Sequence, residues 1–161
     1  MSVGGLLNQK ITHNIFFPSG AIAGLDAIKA ISMGAIESIT LTTTKPSDAL
    51  KNAPFVQKNK INLSTKKTIF SGRVDEAIRG FPTNINVAAA LAISSGVPNK
   101  ITVNIVVDPS INTNTHEIVI KSDSGILTIR AENIPSEKNP RTSQLAVYSA
   151  LSTINSLLEH H

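Results

Sequence analysis

The chain has 161 residues, a formal charge of +4 and an isoelectric point near 9.5, and it contains no cysteine. That length suits one domain with a sizeable core, and the missing thiols exclude disulfides, thiolate metal sites and a cysteine nucleophile. No apolar run approaches the roughly 18 residues of a membrane helix, and no signal peptide opens the chain, so the expected protein is soluble and cytoplasmic.

Met1 to Gly5 is too short for an element, and residues 11–17 carry a short apolar segment that reads as a strand end. Pro18-Ser19-Gly20 punctuates the chain. Ser19 is a candidate N-cap for a helix from Ala21 to Met33, whose apolar positions Ile22, Leu25, Ala27, Ile28 and Ile31 recur at helical spacing, with Gly34 as C-cap. The β-branched run Ile36 to Thr44 predicts a strand that Lys45-Pro46 stops. A helical turn is expected over 46–50, a polar loop over 51–65, a strand over 67–71 and a short helix over 74–79.

Phe81-Pro82 leads into Thr83 or Asn84 as a polar cap, then into the alanine-rich run 86–92. That run predicts a helix whose backbone approaches another element, or a ligand, closely. Asn86 sits in or beside its first turn, where free N–H groups favour polar or anionic ligands. Lys100 to Asp108 alternates as a half-buried strand should. His116 to Ser122 and Gly125 to Glu132 form a predicted hairpin about Asp123-Ser124-Gly125. Thr142 and Ser143 cap a last helix, roughly 143–157, with Leu145, Val147, Leu151, Ile154 and Leu157 largely on one face. The reading is one α+β domain over residues 1–157, with a mixed, mainly antiparallel sheet of about five strands covered on one face by helices. Residues 158–161 look like the start of a purification tag.

The basic residues are scattered, and the densest cluster (Lys58, Lys60, Lys66, Lys67) lacks an RNA-binding signature, so no nucleic-acid partner is expected. No glycine-rich phosphate loop is present, and neither His13 nor His116 has metal-ligand spacing to another ligand, so no metal is expected. His116 is the strongest acid/base candidate: it follows a polar turn at a strand start, a rim position where an imidazole faces a cleft and titrates near neutrality. By its chemistry alone a solvent-exposed edge histidine explains it as well. Lys45 at a strand end and Arg141 before a capped helix are candidates to hold a carboxylate, although each also reads as an ordinary exposed cation.

Five stretches occur in an order that resembles the C-terminal catalytic domain of L-aspartate dehydrogenases. They are Pro-Ser-Gly-Ala-Ile-Ala-Gly-Leu-Asp (18–26), Leu-Thr-Thr-Thr-Lys-Pro (41–46), Phe-Ser-Gly-Arg-Val-Asp-Glu-Ala-Ile-Arg-Gly-Phe-Pro-Thr-Asn-Ile-Asn-Val-Ala-Ala (70–89), Asp108-Pro109 with Asn-Thr-His-Glu-Ile (114–118), and Asn-Pro-Arg-Thr-Ser (139–143). The resemblance implies oxidation of L-aspartate to iminoaspartate with NAD or NADP as cofactor, feeding NAD biosynthesis. By motif, His116 matches the catalytic histidine, while Ala21 and Asn86 match cofactor-contacting positions. Lys45, Thr142 and Ser143 are the candidates for gripping the substrate carboxylates.

Members of that family begin with a nucleotide-binding Rossmann domain of about 110 residues, a typical domain size. Only Met-Ser-Val-Gly-Gly resembles its exit, so the isolated chain is expected neither to bind NAD tightly nor to turn over. A homodimer is the expected assembly. Two alternatives remain: a domain of the same fold acting on another amino or oxo acid, and a non-catalytic homodimerisation module.

Overall fold

The computed structural model describes residues 16–82, 86–137 and 142–159. Strand β1 (Ile36–Lys45) alternates because each successive side chain points to the opposite sheet face. Ile39, Leu41, Thr43 and Lys45 turn inward, while Thr40, Thr42 and Thr44 stay half-buried on the other face. The same period puts Val103, Ile105 and Val107 of β3 (Ile101–Val107) and His116, Ile118 and Ile120 of β4 (Asn114–Ser122) on the inner face. With β2 (Lys67–Arg73) and β5 (Gly125–Asn133) they form a five-stranded sheet in the order β2-β3-β1-β4-β5. Only β1 and β3 run parallel; the other neighbours are antiparallel.

A parallel pair needs a long crossover. Here it contains α2 (Ser47–Leu50), α3 (Pro54–Asn59), β2, α4 (Val74–Gly80) and α5 (Asn86–Ser95). Helix α1 (Leu25–Ile31) packs beside α5. Ile28, Ala77, Ala88, Leu91 and Ala92 are fully buried and join the inner face of the sheet in one core. The small alanines let α5 lie close, as its composition predicts. A 3-10 turn (Pro98–Lys100) then returns the chain to β3. The expected α+β fold, its five strands and the hairpin at Asp123-Ser124 are all present.

Three local expectations are corrected. Helix α1 starts at Leu25 rather than Ala21, and Ser19 does not cap it. Gly20 and Gly24 both take left-handed backbone (φ 67° and 69°), which a continuing helix cannot accommodate. Instead the Gly20 N–H donates to Ser149 Oγ at 2.8 Å, so a long-range contact shapes this segment. At its far end Ser32, not Gly34, closes the helix, its hydroxyl donating to the Ile28 carbonyl. The polar stretch 51–65 contains α3, started by Pro54 at a first-turn position and fixed by Phe55, whose ring meets Phe70 and Phe81 at centroid distances of 5.3 and 5.4 Å. The final helix α6 (Gln144–Glu159) begins as expected, with Ser143 Oγ accepting from the Ala146 N–H at 3.1 Å. The caps expected at Thr83 or Asn84, and His13 and Arg141, lie outside the described residues.

Candidate active site

His116 is not an edge residue. It is the third residue of β4, an inner strand, and it sits directly opposite Thr43 of β1 across the antiparallel ladder. Both side chains point to the core side and both are buried. Thr43 Oγ1 and His116 Nδ1 lie 3.1 Å apart in a hydrogen bond. Lys45, two residues on along β1, shares that face and is only 7% exposed, so it is not the ordinary surface cation its composition allowed.

These burials set the electrostatics. Loss of water lowers the His116 pKa to about 4, helped by the nearby Lys45 cation. The imidazole is therefore neutral at physiological pH and does not titrate near neutrality, contrary to the rim-position expectation. Desolvation likewise lowers Lys45 to about 8. His116 contributes no charge to that shift, because it is already neutral where Lys45 titrates. The Lys45 side chain has no hydrogen bond or ion pair among the described residues. Its Nζ and His116 Nε2 are also absent from the buried atoms lacking a partner, a class that among the described residues holds Asn114 Oδ1 alone. Neither nitrogen has a hydrogen-bond partner among the described residues.

Asn114 lies on the same strand face as His116, two residues earlier, and pairs across the hairpin with Asn133. Asn133 is buried, and its amide donates to the Ala21 carbonyl at 2.8 Å. That bond fastens Ala21 over the sheet end at which Thr43, Lys45 and His116 converge. Asn86 is the first residue of α5 and is exposed; α5 turns back through the 3-10 turn into β3, so its start lies toward the end where β1 and β3 finish. Among the described residues no hydrogen bond joins Asn86 to His116. Thr142 and Ser143 run beside the exit of β5, held by the Thr142 carbonyl accepting from Ser136 N–H at 2.8 Å and by the bridge between Pro135 and Ser143. The Ser143 oxygen is engaged in capping α6.

Sequence reasoning passed over Thr43 as a site residue. Its shared face with Lys45 follows from strand period, but its pairing with His116 is a register that no local signal carries. A separate charged pair lies on the opposite face of the sheet. There Lys66 pairs with buried Asp108 at 2.9 Å, and the Ser110 hydroxyl donates to that carboxylate, holding it well below the usual carboxylate range. A concavity of about 580 Å³ beside Phe55 and Phe70 is lined by none of the candidate residues.

A family model described as aspartate dehydrogenase, C-terminal, matches residues 26–157. L-aspartate dehydrogenases of Methanocella arvoryzae and Methanocaldococcus jannaschii are 41% and 43% identical to the chain, and in each case 99% of the chain is aligned. The chain spans 64% and 63% of the length of those relatives. The crystal structure of aspartate dehydrogenase from Thermotoga maritima superposes with a TM-score of 0.69 at 35% identity, covering 89% of this chain and 53% of that one. With the family model spanning most of the sequence and the same fold in a solved relative, the chain belongs to the family of aspartate dehydrogenase C-terminal domains.

Proposed function

We propose that the chain is the catalytic and dimerisation domain of an NAD(P)-dependent L-aspartate dehydrogenase that oxidises L-aspartate to iminoaspartate and supplies NAD biosynthesis. The observation that carries the reading is the cluster of Thr43, Lys45 and His116, buried together on one sheet face with Thr43 bonded to His116, in a chain of this family. A nicotinamide bound here would supply the acceptor for the hydride of the substrate α-carbon. The chain's own residues fit such a group: Ala21 offers a small side chain over the cluster, and Asn114 Oδ1 is a buried acceptor in need of an N–H donor. Asn86, near free N–H groups of α5, is the second candidate for the carboxamide. Lys45 supplies positive charge for a dicarboxylic acid, while Thr142 and Ser143 stand as further carboxylate partners. His116, the acid/base candidate of the sequence, would lie against the reacting nitrogen and hydrogen-bond to it.

The test follows nicotinamide reduction by the full-length gene product with L-aspartate and each cofactor. Replacing His116 by Ala lowers kcat by about 100-fold or more if the imidazole serves the reaction, with folding unchanged by circular dichroism. Signal with a different amino acid keeps the fold and discards aspartate. Silence with every substrate leaves the assembly module. The isolated 161-residue chain is expected to show neither tight NAD binding nor turnover; measurable dehydrogenase activity from it overturns that expectation.

A further inference from the structure

Amine oxidation needs a proton acceptor as well as a hydride acceptor. The substrate's α-ammonium must give up one N–H proton before its nitrogen lone pair can form the C=N bond. The electron pair of the α-C–H bond then leaves with the hydride, so the substrate loses two electrons, the nicotinamide gains them, and one proton remains to be placed. His116 is badly set to take it. The Thr43 hydroxyl is buried, and among the described residues its one hydrogen-bond partner is His116 Nδ1. If Nδ1 carried the proton and donated to Thr43, the Thr43 O–H would be left buried without an acceptor, which is a costly state. If Thr43 donates to the Nδ1 lone pair, both groups are satisfied. The ring proton is then on Nε2, the nitrogen that Thr43 does not engage, and no lone pair remains there to accept another.

Lys45 has the complementary properties. It is buried to 7% exposure on the same sheet face as His116, with no carboxylate or hydrogen-bond acceptor for its Nζ among the described residues. A lysine needed only for structure would be paired or at the surface. We propose that Lys45 accepts the proton from the substrate ammonium, while His116, held as its Nε2–H tautomer by Thr43, donates a hydrogen bond to the same substrate. The step breaks one N–H bond of the substrate and forms one on the neutral Lys45 amine. Burial, which lowers Lys45 to about 8, keeps a useful neutral fraction available at working pH. Thr43 is a positioning residue in this arrangement. The assignment rests on the aspartate dehydrogenase reading of the site and changes Lys45 from a carboxylate grip to a base.

Lys45→Arg separates the two roles, since a guanidinium keeps the charge but cannot lose its proton. In the full-length enzyme the expected result is a kcat at least about 100-fold lower with little change in KM for aspartate. The Lys45→Ala enzyme should regain rate when methylamine or ethylamine is added. A Lys45→Arg enzyme within a few-fold of wild-type kcat, or a Lys45→Ala enzyme that loses KM alone and ignores added amines, overturns the proposal. Two measurements on the wild-type protein need neither turnover nor a variant that folds. Carbon-13 NMR of the lysine ε-carbons should show Lys45 titrating near 8; titration with the exposed lysines overturns its role as base. Nitrogen-15 NMR of His116 should show a protonated Nε2, and a protonated Nδ1 overturns the tautomer. If the wild-type enzyme ignores aspartate, the substrate reading fails, and the two titrations still decide this one.

Discussion

His116 and Lys45 lose their protons on opposite sides of neutrality, and one physical cause moves both: burial penalises the charged form. The consequence for stability has a defined sign. Between pH 6.5, the ordinary histidine value, and about 4, the unfolded chain binds a proton on His116 that the folded chain refuses. The stability that neutral His116 contributes is therefore present above 6.5 and is lost as pH falls through that window, by up to about 3 kcal/mol. Lys45 acts in the same sense at higher pH, so stability rises from about 8 toward its ordinary 10.5. Denaturant midpoints at pH 7 and pH 4.5 should show the acid loss in the wild type, and His116→Gln should flatten it. An equally steep loss in the variant places the responsible proton elsewhere. Strand period and a polar turn made Lys45 and His116 legible as candidates in the sequence. Their burial was not legible, because it depends on β1 and β4 pairing in a register that brings Thr43 opposite His116 across 73 positions.

At the scale of elements, the strands were readable because their alternation is strong, and α5 because alanines crowd one short run. The segment before α1 was misread for a physical reason: Ser19 looks like a cap, but two left-handed glycines and the contact to Ser149 decide the path. Those glycines separate two costs. A methyl at Gly20 meets nothing within 4 Å, so Gly20→Ala should lose only the backbone term, about 1 kcal/mol. A methyl at Gly24 falls 2.8 Å from Ile129 Cδ1, so Gly24→Ala should lose about 2 kcal/mol as the side chain shifts. Urea melts of the two variants give the comparison, and equal losses show that Ile129 yields freely. Ser143→Ala should cost about 1 kcal/mol by removing the α6 cap. A fall in aspartate affinity in that variant, beyond what its stability explains, is the mark of a substrate contact.

At the scale of the molecule, α6 is the element whose sequence pattern and surroundings disagree. Its apolar residues fall on one side as helical spacing predicts, yet Ser149 is the only side chain on it that is buried, and Leu151 and Ile154 are 54% and 53% exposed. A stripe of this kind is costly to leave in water and is a candidate surface for another polypeptide. The proposed homodimer would cover it, and it makes a sharp prediction because α6 buries so little against the described residues of its own chain. Replacing Leu151 and Ile154 together by Glu should change monomer stability by less than about 1 kcal/mol, as for other surface substitutions, while charge placed in a desolvated interface opposes association. Light scattering should then report twice the chain mass for the wild-type protein and once for the double variant, with circular dichroism unchanged. A variant that remains dimeric puts the interface elsewhere, with the half-exposed threonine face of the sheet as the next surface to alter. A variant that unfolds shows instead that α6 holds its own domain together more strongly than its burial implies.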